Sequence, residues 1–312
     1  MKAGRLNPEL RRTYRFIPNT PVSTRLGRAA LRFGTSRMPA PRPPAGVSLE
    51  VVDVGGDVPR AHVFTPASNG SGGALLYIHG GGMVIGTVKQ DYPLAIELAQ
   101  RLRIVVVLPE YRLAPEHPYP VPLDDCARAW AWLAEHAQRR GIDSARLAVG
   151  GQSAGGGLAA MLAQRRRDAG GAQPAAQWLF CPMLDDRTAA DRSLDQVKHF
   201  LWNNKANRAG WRAFLGTEPG SPVVPDGAVP SRRVDLTGLP PTWIGTGTIE
   251  LFHAEDVGYA EALRAAHVPV TLDEVPGAPH AFESVAATTK LARDYRARAT
   301  SWLAERLSAS PA

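Results

Sequence analysis

A serine hydroxyl is a weak nucleophile unless a base takes its proton, so a chain that uses one must place both groups in suitable local contexts. Gly151-Gln152-Ser153-Ala154-Gly155 lies between an apolar run ending at Gly150 and a small-residue helical stretch, with the Gly-x-Ser-x-Gly spacing of a nucleophile elbow. A serine on so sharp a strand-to-helix turn holds strained backbone angles, and the flanking glycines let helix and neighbouring strand approach closely. Upstream, His79-Gly80-Gly81-Gly82 follows the apolar run Ala74–Ile78. Glycines there leave backbone N–H groups free to turn inward, so Gly81, Gly82 and Ala154 are candidates to face one developing negative oxygen. His79 reads as a brace for this loop. Pro276-Gly277-Ala278-Pro279-His280-Ala281-Phe282 presents His280 on a turn-rich connection after the last apolar run, which makes it the best-placed base. His136, His199 and His267 sit in helical or polar contexts and read as surface.

From about residue 47, short β-rich runs alternate with helical ones, the pattern of a largely parallel α/β sheet. The predicted strands are 47–54, 59–65, 74–79, 104–109, 146–150, 175–181, 241–246 and 270–275, the first two close enough to form a hairpin. The predicted helices are 91–101, 122–139, 154–168, 254–266 and 288–308, with Pro122 and Asp124 suited to a helix start. Residues 185–235 break this rhythm, carrying Trp202, Trp211 and Phe214 among polar and proline-rich sequence, and read as an inserted cap. The expected organisation is an N-terminal cap arm (1–45), a first core part (46–184), the cap insertion (185–235) and a second core part (236–312). Open α/β sheets place ligands at the carboxyl ends of their strands, beneath such a cap.

The formal charge of +7 and the pI of 9.7 raise the question of nucleic acid, but the basic residues are scattered. The densest runs, Arg139-Arg140 and Arg165-Arg166-Arg167, fall where predicted helices end and there oppose the helix dipole. Nucleic acid is therefore not an expected partner. Residues 1–44 are Arg-rich, yet their prolines interrupt any long amphipathic helix, so a packed arm is expected over a transit peptide. No apolar stretch is long enough for a membrane span, and a cytoplasmic enzyme is the expectation. Cys126 and Cys181 each lie in an apolar segment and read as reduced core thiols. Asn69-Gly70-Ser71 matches a glycosylation sequon without secretory context.

Tyr77-Ile78-His79-Gly80-Gly81-Gly82, Tyr111-Arg112-Leu113-Ala114-Pro115-Glu116-His117-Pro118 and the serine elbow occur together and in order. With Leu239-Pro240-Pro241 and the His280 loop, they make the chain resemble the bacterial hormone-sensitive-lipase-like family of α/β-hydrolase esterases, from about residue 45 onward. The resemblance implies an eight-stranded, mostly parallel α/β-hydrolase sheet with a helical cap, and carboxylic ester hydrolysis through an acyl-enzyme without metal or organic cofactor. It also implies a small ester substrate with a short acyl chain. Three positions depart from the family pattern. Gln152 replaces the acid more often found before the nucleophile, Met83 stands where an aromatic residue commonly follows the glycines, and Glu250 occupies the usual place of the triad aspartate. A glutamate can still orient imidazole, and Glu250 keeps the chain order Ser, acid, His. Asp256 is the nearest rival acid and reads as a solvated helix residue. The Tyr111–Pro118 stretch reads as structural.

Other readings compete. Gly155-Gly156-Gly157-Leu158-Ala159-Ala160 with Asp185 fits a dinucleotide fingerprint, but these glycines fall inside the predicted helix and not at the strand-to-helix turn. A non-catalytic receptor on the same scaffold would be expected to lack a triad member, and none is missing. Amidase chemistry shares the nucleophile and oxyanion hole and stays open, as does the choice between monomer and homodimer.

Overall fold

In a computed structural model, the described residues are 6–56, 60–68, 70, 72–171 and 173–308. Eight strands form one sheet: β1 (Val47–Val52), β2 (Ala61–Pro66), β3 (Ala74–Ile78), β4 (Val105–Pro109), β5 (Leu147–Gln152), β6 (Ala176–Phe180), β7 (Thr242–Gly247) and β8 (Val270–Val275). Their order is β1-β2-β4-β3-β5-β6-β7-β8. The β1–β2 hairpin and the β2–β4 pair are antiparallel, and the remaining pairs are parallel. Residue 59, where the second strand was expected to start, lies outside the described residues, as do Asn69 and Ser71 of the sequon.

The helices are α1 (Arg11–Tyr14), α2 (Arg25–Ser36), α3 (Tyr92–Arg101), α4 (Val121–His136), α5 (Ala154–Asp168), α6 (Asp186–Ala190), α7 (Asn204–Leu215), α8 (His253–Ala265), α9 (Phe282–Val285) and α10 (Lys290–Ser308). Alternation along the central strands divides the core. Leu76, Ile78, Val149, Leu179 and Ile244 face the layer containing α4, α5 and α8, whereas Leu75, Tyr77, Trp178, Phe180 and Trp243 face α3 and α10. Helix α4 ends near its expected stop because Gly141, at φ 66°, supplies the left-handed residue that terminates the following 3₁₀ turn.

Helix α5 is buried from Ala154 to Gln164, and its small residues are what permit this. A Cβ on Gly155 would lie 1.9 Å from the Ile78 carbonyl oxygen, and one on Gly157 would lie 2.2 Å from that of Met183. The glycines thus serve backbone approach inside a helix, which leaves no space for a pyrophosphate, and Asp185 caps α6 by accepting from Arg187 N–H. The basic runs are engaged with acids as well: Arg165 with Asp124, and Arg167 with Asp235.

Segments 6–45 and 185–235 supply α1, α2, α6 and α7, a helical cap beside the carboxyl ends of the strands. The segments are tied together where Thr20 N–H donates to the Leu201 carbonyl at 3.1 Å. No helix among the described residues is long and apolar enough to cross a membrane.

Candidate active site

Ser153 sits between the end of β5 and the first residue of α5, with φ 56° and ψ −120°. That conformation is costly for a residue with a side chain and persists here because its surroundings hold it. Ser153 N–H donates to Phe180 O at 2.8 Å, and Ser153 O accepts from Met183 N–H at 2.9 Å. Strain and fixation together project Oγ from the carboxyl edge of the sheet.

His280 lies on the loop between β8 and α9, with its Nε2 3.0 Å from Ser153 Oγ and its Nδ1 2.5 Å from Glu250 Oε2. Glu250 occupies the turn after β7, and its other oxygen accepts from Thr246 Oγ1 at 2.9 Å. All three side chains are buried, at 4–5% residue exposure. The imidazole is also fixed through its backbone, since Tyr14 of the arm donates its hydroxyl to His280 O at 2.9 Å, and Phe252 meets the ring edge-on.

The glycine loop lies against Ser153: a Cβ on Gly80 would come within 3.4 Å of Ser153 Cβ. Gly81 and Gly82 have φ of 124° and 59°, conformations that favour glycine. Gly81 O accepts from Val84 and Ile85 N–H, closing a tight turn. Behind the loop, His79 stacks on Tyr111 with ring centroids 4.2 Å apart, and its Nδ1 lies 2.8 Å from Gly80 O. Burial lowers its pKa to about 4, so it stays neutral near pH 7. Tyr111 also donates to His79 O, while Arg112 makes a forked contact with the buried Asp125. The Tyr111–Pro118 stretch therefore supports the glycine loop.

Two expectations are corrected. Asp256 is fully buried, not solvated, because α8 packs this face against the sheet. Burial, and then the nearby Glu250 and Glu255, push its carboxyl well above the usual range and favour the neutral form. A neutral acid cannot offset the charge of an imidazolium, which is a second reason to prefer Glu250. His199 is also buried, close enough to Glu250 and His280 for their charges to bear on it, and its Nδ1 has no hydrogen-bond partner among the described residues. It belongs to the cap segment that the arm contacts where Thr20 N–H donates to Leu201 O. His267 is exposed as expected, and His136 is half-buried against Trp132.

Sequence reasoning missed Tyr14 as a neighbour of the site, and it placed Trp202 in the expected cap without assigning it a contact. The Trp202 ring lies over Gly82, where an added Cβ would meet it at 2.2 Å, and its indole N–H has no partner among the described residues. Its signal was a tryptophan in an otherwise polar segment. The two departures near the loop also find places. Met83 is fully buried in the α5 side of the core, and Gln152 donates from its amide to Glu283 Oε1 at 2.5 Å and Ser284 Oγ at 2.8 Å.

Cys126 and Cys181 are both free and buried. Cys181, Glu250 and His280 bring metal-ligating atoms within 4.8 Å of one another. Two of these groups, Glu250 and His280, are already engaged with each other through a short hydrogen bond.

Glu283 shares a cavity of about 220 Å³ with Asp91, lined also by Tyr77 and Phe180. Burial and then Glu283 raise the Asp91 pKa to about 8. An acid whose folded pKa exceeds its unfolded value near 3.8 holds an extra proton in the folded state between those limits, so stability falls as pH rises through that window. Asp91→Asn is expected to remove this fall. Denaturant unfolding should show the variant gaining on the parent, on the order of a few kcal/mol, between pH 5 and pH 9. A parallel pH dependence in both proteins would contradict the assignment.

The chain matches the alpha/beta hydrolase fold family over residues 75–284 and belongs to it. It is an enzyme, a serine hydrolase. It is 34% identical over 258 residues to Carboxylesterase NlhH of Mycobacterium tuberculosis, covering 81% of this chain and 80% of that protein. Among solved structures it is similar to a bacterial heroin esterase, with a TM-score of 0.88 and 34% identity over 99% of this chain and all of that one. Esterase LipW from Mycobacterium marinum superposes with a TM-score of 0.86 at 32% identity, covering 99% of this chain and 98% of its own.

Proposed function

We propose that the chain hydrolyses carboxylic esters of short acyl chain length through a Ser153–His280–Glu250 triad, in the manner of the hormone-sensitive-lipase-like esterases. The observation that carries this is the continuous hydrogen-bonded line from Ser153 Oγ through both ring nitrogens of His280 to Glu250. His280 Nε2 takes the proton as Ser153 Oγ attacks the ester carbonyl, and Glu250 orients the ring and offsets its charge. The carbonyl oxygen becomes an oxyanion facing the N–H groups of Gly81, Gly82 and Ala154, each such donor typically worth roughly 2.7–4 kcal/mol. Collapse passes the proton from Nε2 to the leaving alcohol and leaves acyl-Ser153. Water, deprotonated by His280, then attacks the acyl carbonyl, and the serine recovers its proton as the acid leaves.

Short acyl preference follows from enclosure. Residues 1–45 and 185–235 act as the cap, with Trp202 over the glycine loop and Tyr14 on the base, so the space beside Ser153 is limited. Among the described residues the Trp202 indole N–H is a free donor, and His199 Nδ1 a further unpartnered group, available to polar atoms of the substrate. Two free buried thiols are in keeping with a cytoplasmic location. Rates on nitrophenyl esters from acetate to palmitate are expected to peak among the short chains, and removing residues 1–45 should lower both stability and the best rate. A maximum at palmitate in the full-length protein would contradict the enclosed pocket.

A further inference from the structure

The arm presents an apolar face to solvent. Helix α2 places Leu26, Ala29, Ala30 and Phe33 at i, i+3, i+4 and i+7, and all four are exposed, Leu26 at 84% and Phe33 at 61%. Preceding α2, Phe16 is 79% exposed. An outward stripe of this kind on a monomeric surface marks an interaction site.

The surrounding charge is strongly of one sign. Residues 1–45 contain ten Lys and Arg against a single acid, Glu9, which accepts from Leu291 N–H. Arg37 lies over the Phe33 ring, and Arg25 borders the stripe at the start of α2. Beside that start, a cavity of about 620 Å³ is lined by Arg192, Lys198, Lys205, Arg208 and Arg212, with Asp195 as its acid. Asp195 pairs with Arg192 and Arg208, while Lys198 and Lys205 have no ion pair among the described residues.

We propose that α2 and the adjoining basic face dock the protein on an anionic lipid surface, with Leu26, Phe33 and Phe16 entering the headgroup boundary. An amphipathic helix rich in Arg binds such a surface through apolar burial and attraction to anionic headgroups together. A second copy fits less well, since two arms facing each other would oppose like charges. The docked helix would stand over the proposed active site. Arg32 of α2 donates to Val84 O at 2.8 Å and to Ala114 O at 2.6 Å, fastening the helix to the turn that carries Gly81 and Gly82.

The test is co-sedimentation of the full chain with vesicles of phosphatidylcholine alone or containing about 30% phosphatidylglycerol, chosen to give a substantial surface potential. Binding is expected only to the anionic vesicles and should weaken as salt is raised. Leu26→Ser with Phe33→Ser should weaken it about tenfold or more, because each buried side chain contributes on the scale of a decade in affinity. The exposure of both residues means the thermal midpoint should stay unchanged. Equal binding to neutral vesicles, undiminished binding by the double variant, or a concentration-dependent dimer abolished by the same substitutions would overturn the proposal.

Discussion

Ser153→Ala is expected to lower ester turnover by about 10⁴- to 10⁶-fold while leaving the fold intact, since nucleophile and base act as one unit in acylation. The alanine methyl fits the space of the hydroxymethyl group, and the Ser153 backbone is held by hydrogen bonds from its own N–H and to its own carbonyl, neither of which needs Oγ. His280→Ala should cost nearly as much, and the double variant little more than either alone, because the hydroxyl without its base and the base without its hydroxyl are equally idle. Initial rates on a nitrophenyl acetate series, with unfolding midpoints as a control for structure, check this. Retention of more than about a tenth of the parental rate by the serine variant would exclude Ser153 as nucleophile.

The second large effect concerns the acid. Glu250→Gln is expected to reduce turnover by about 10⁴-fold, because an amide at Nδ1 no longer enforces the tautomer that accepts the serine proton. Asp256→Asn should cost far less, since its buried carboxyl is already pushed toward the neutral form and is replaced by a neutral group of similar shape. Comparing the two variants under identical conditions separates the acids. Equal losses, or a larger loss at Asp256, would place the negative partner of His280 elsewhere.

Much of the sheet was legible because its signals are local. The runs Ala74–Ile78 and Val105–Pro109 are short, apolar and bounded by turn residues, and the observed strands agree with expectation to within a residue or two. The serine elbow was legible because a strand-to-helix turn with backbone contact on both sides demands glycines at fixed offsets, and Gly151 and Gly155 meet that demand. Burial set by distant segments was not legible. His199 reads as polar surface yet is buried within the folded cap segment, and Asp256 reads as a solvated helix residue until α8 turns that face inward. Helix α2 shows the converse. Its Leu26, Ala29, Ala30 and Phe33 spacing is a core-facing pattern, yet Arg32 anchors the opposite side to the body and leaves the apolar side outside.

The central claim is that one serine, activated by His280, forms a covalent acyl intermediate. Its most direct test is reaction with a nitrophenyl alkylphosphonate, which phosphonylates an activated serine and releases nitrophenol, followed by peptide mass spectrometry. The expected result is one phosphonyl group per chain, on Ser153, with loss of ester turnover in proportion to labelling and no labelling of the His280→Ala variant. Labelling at another residue, or full turnover by protein quantitatively modified on Ser153, would contradict it.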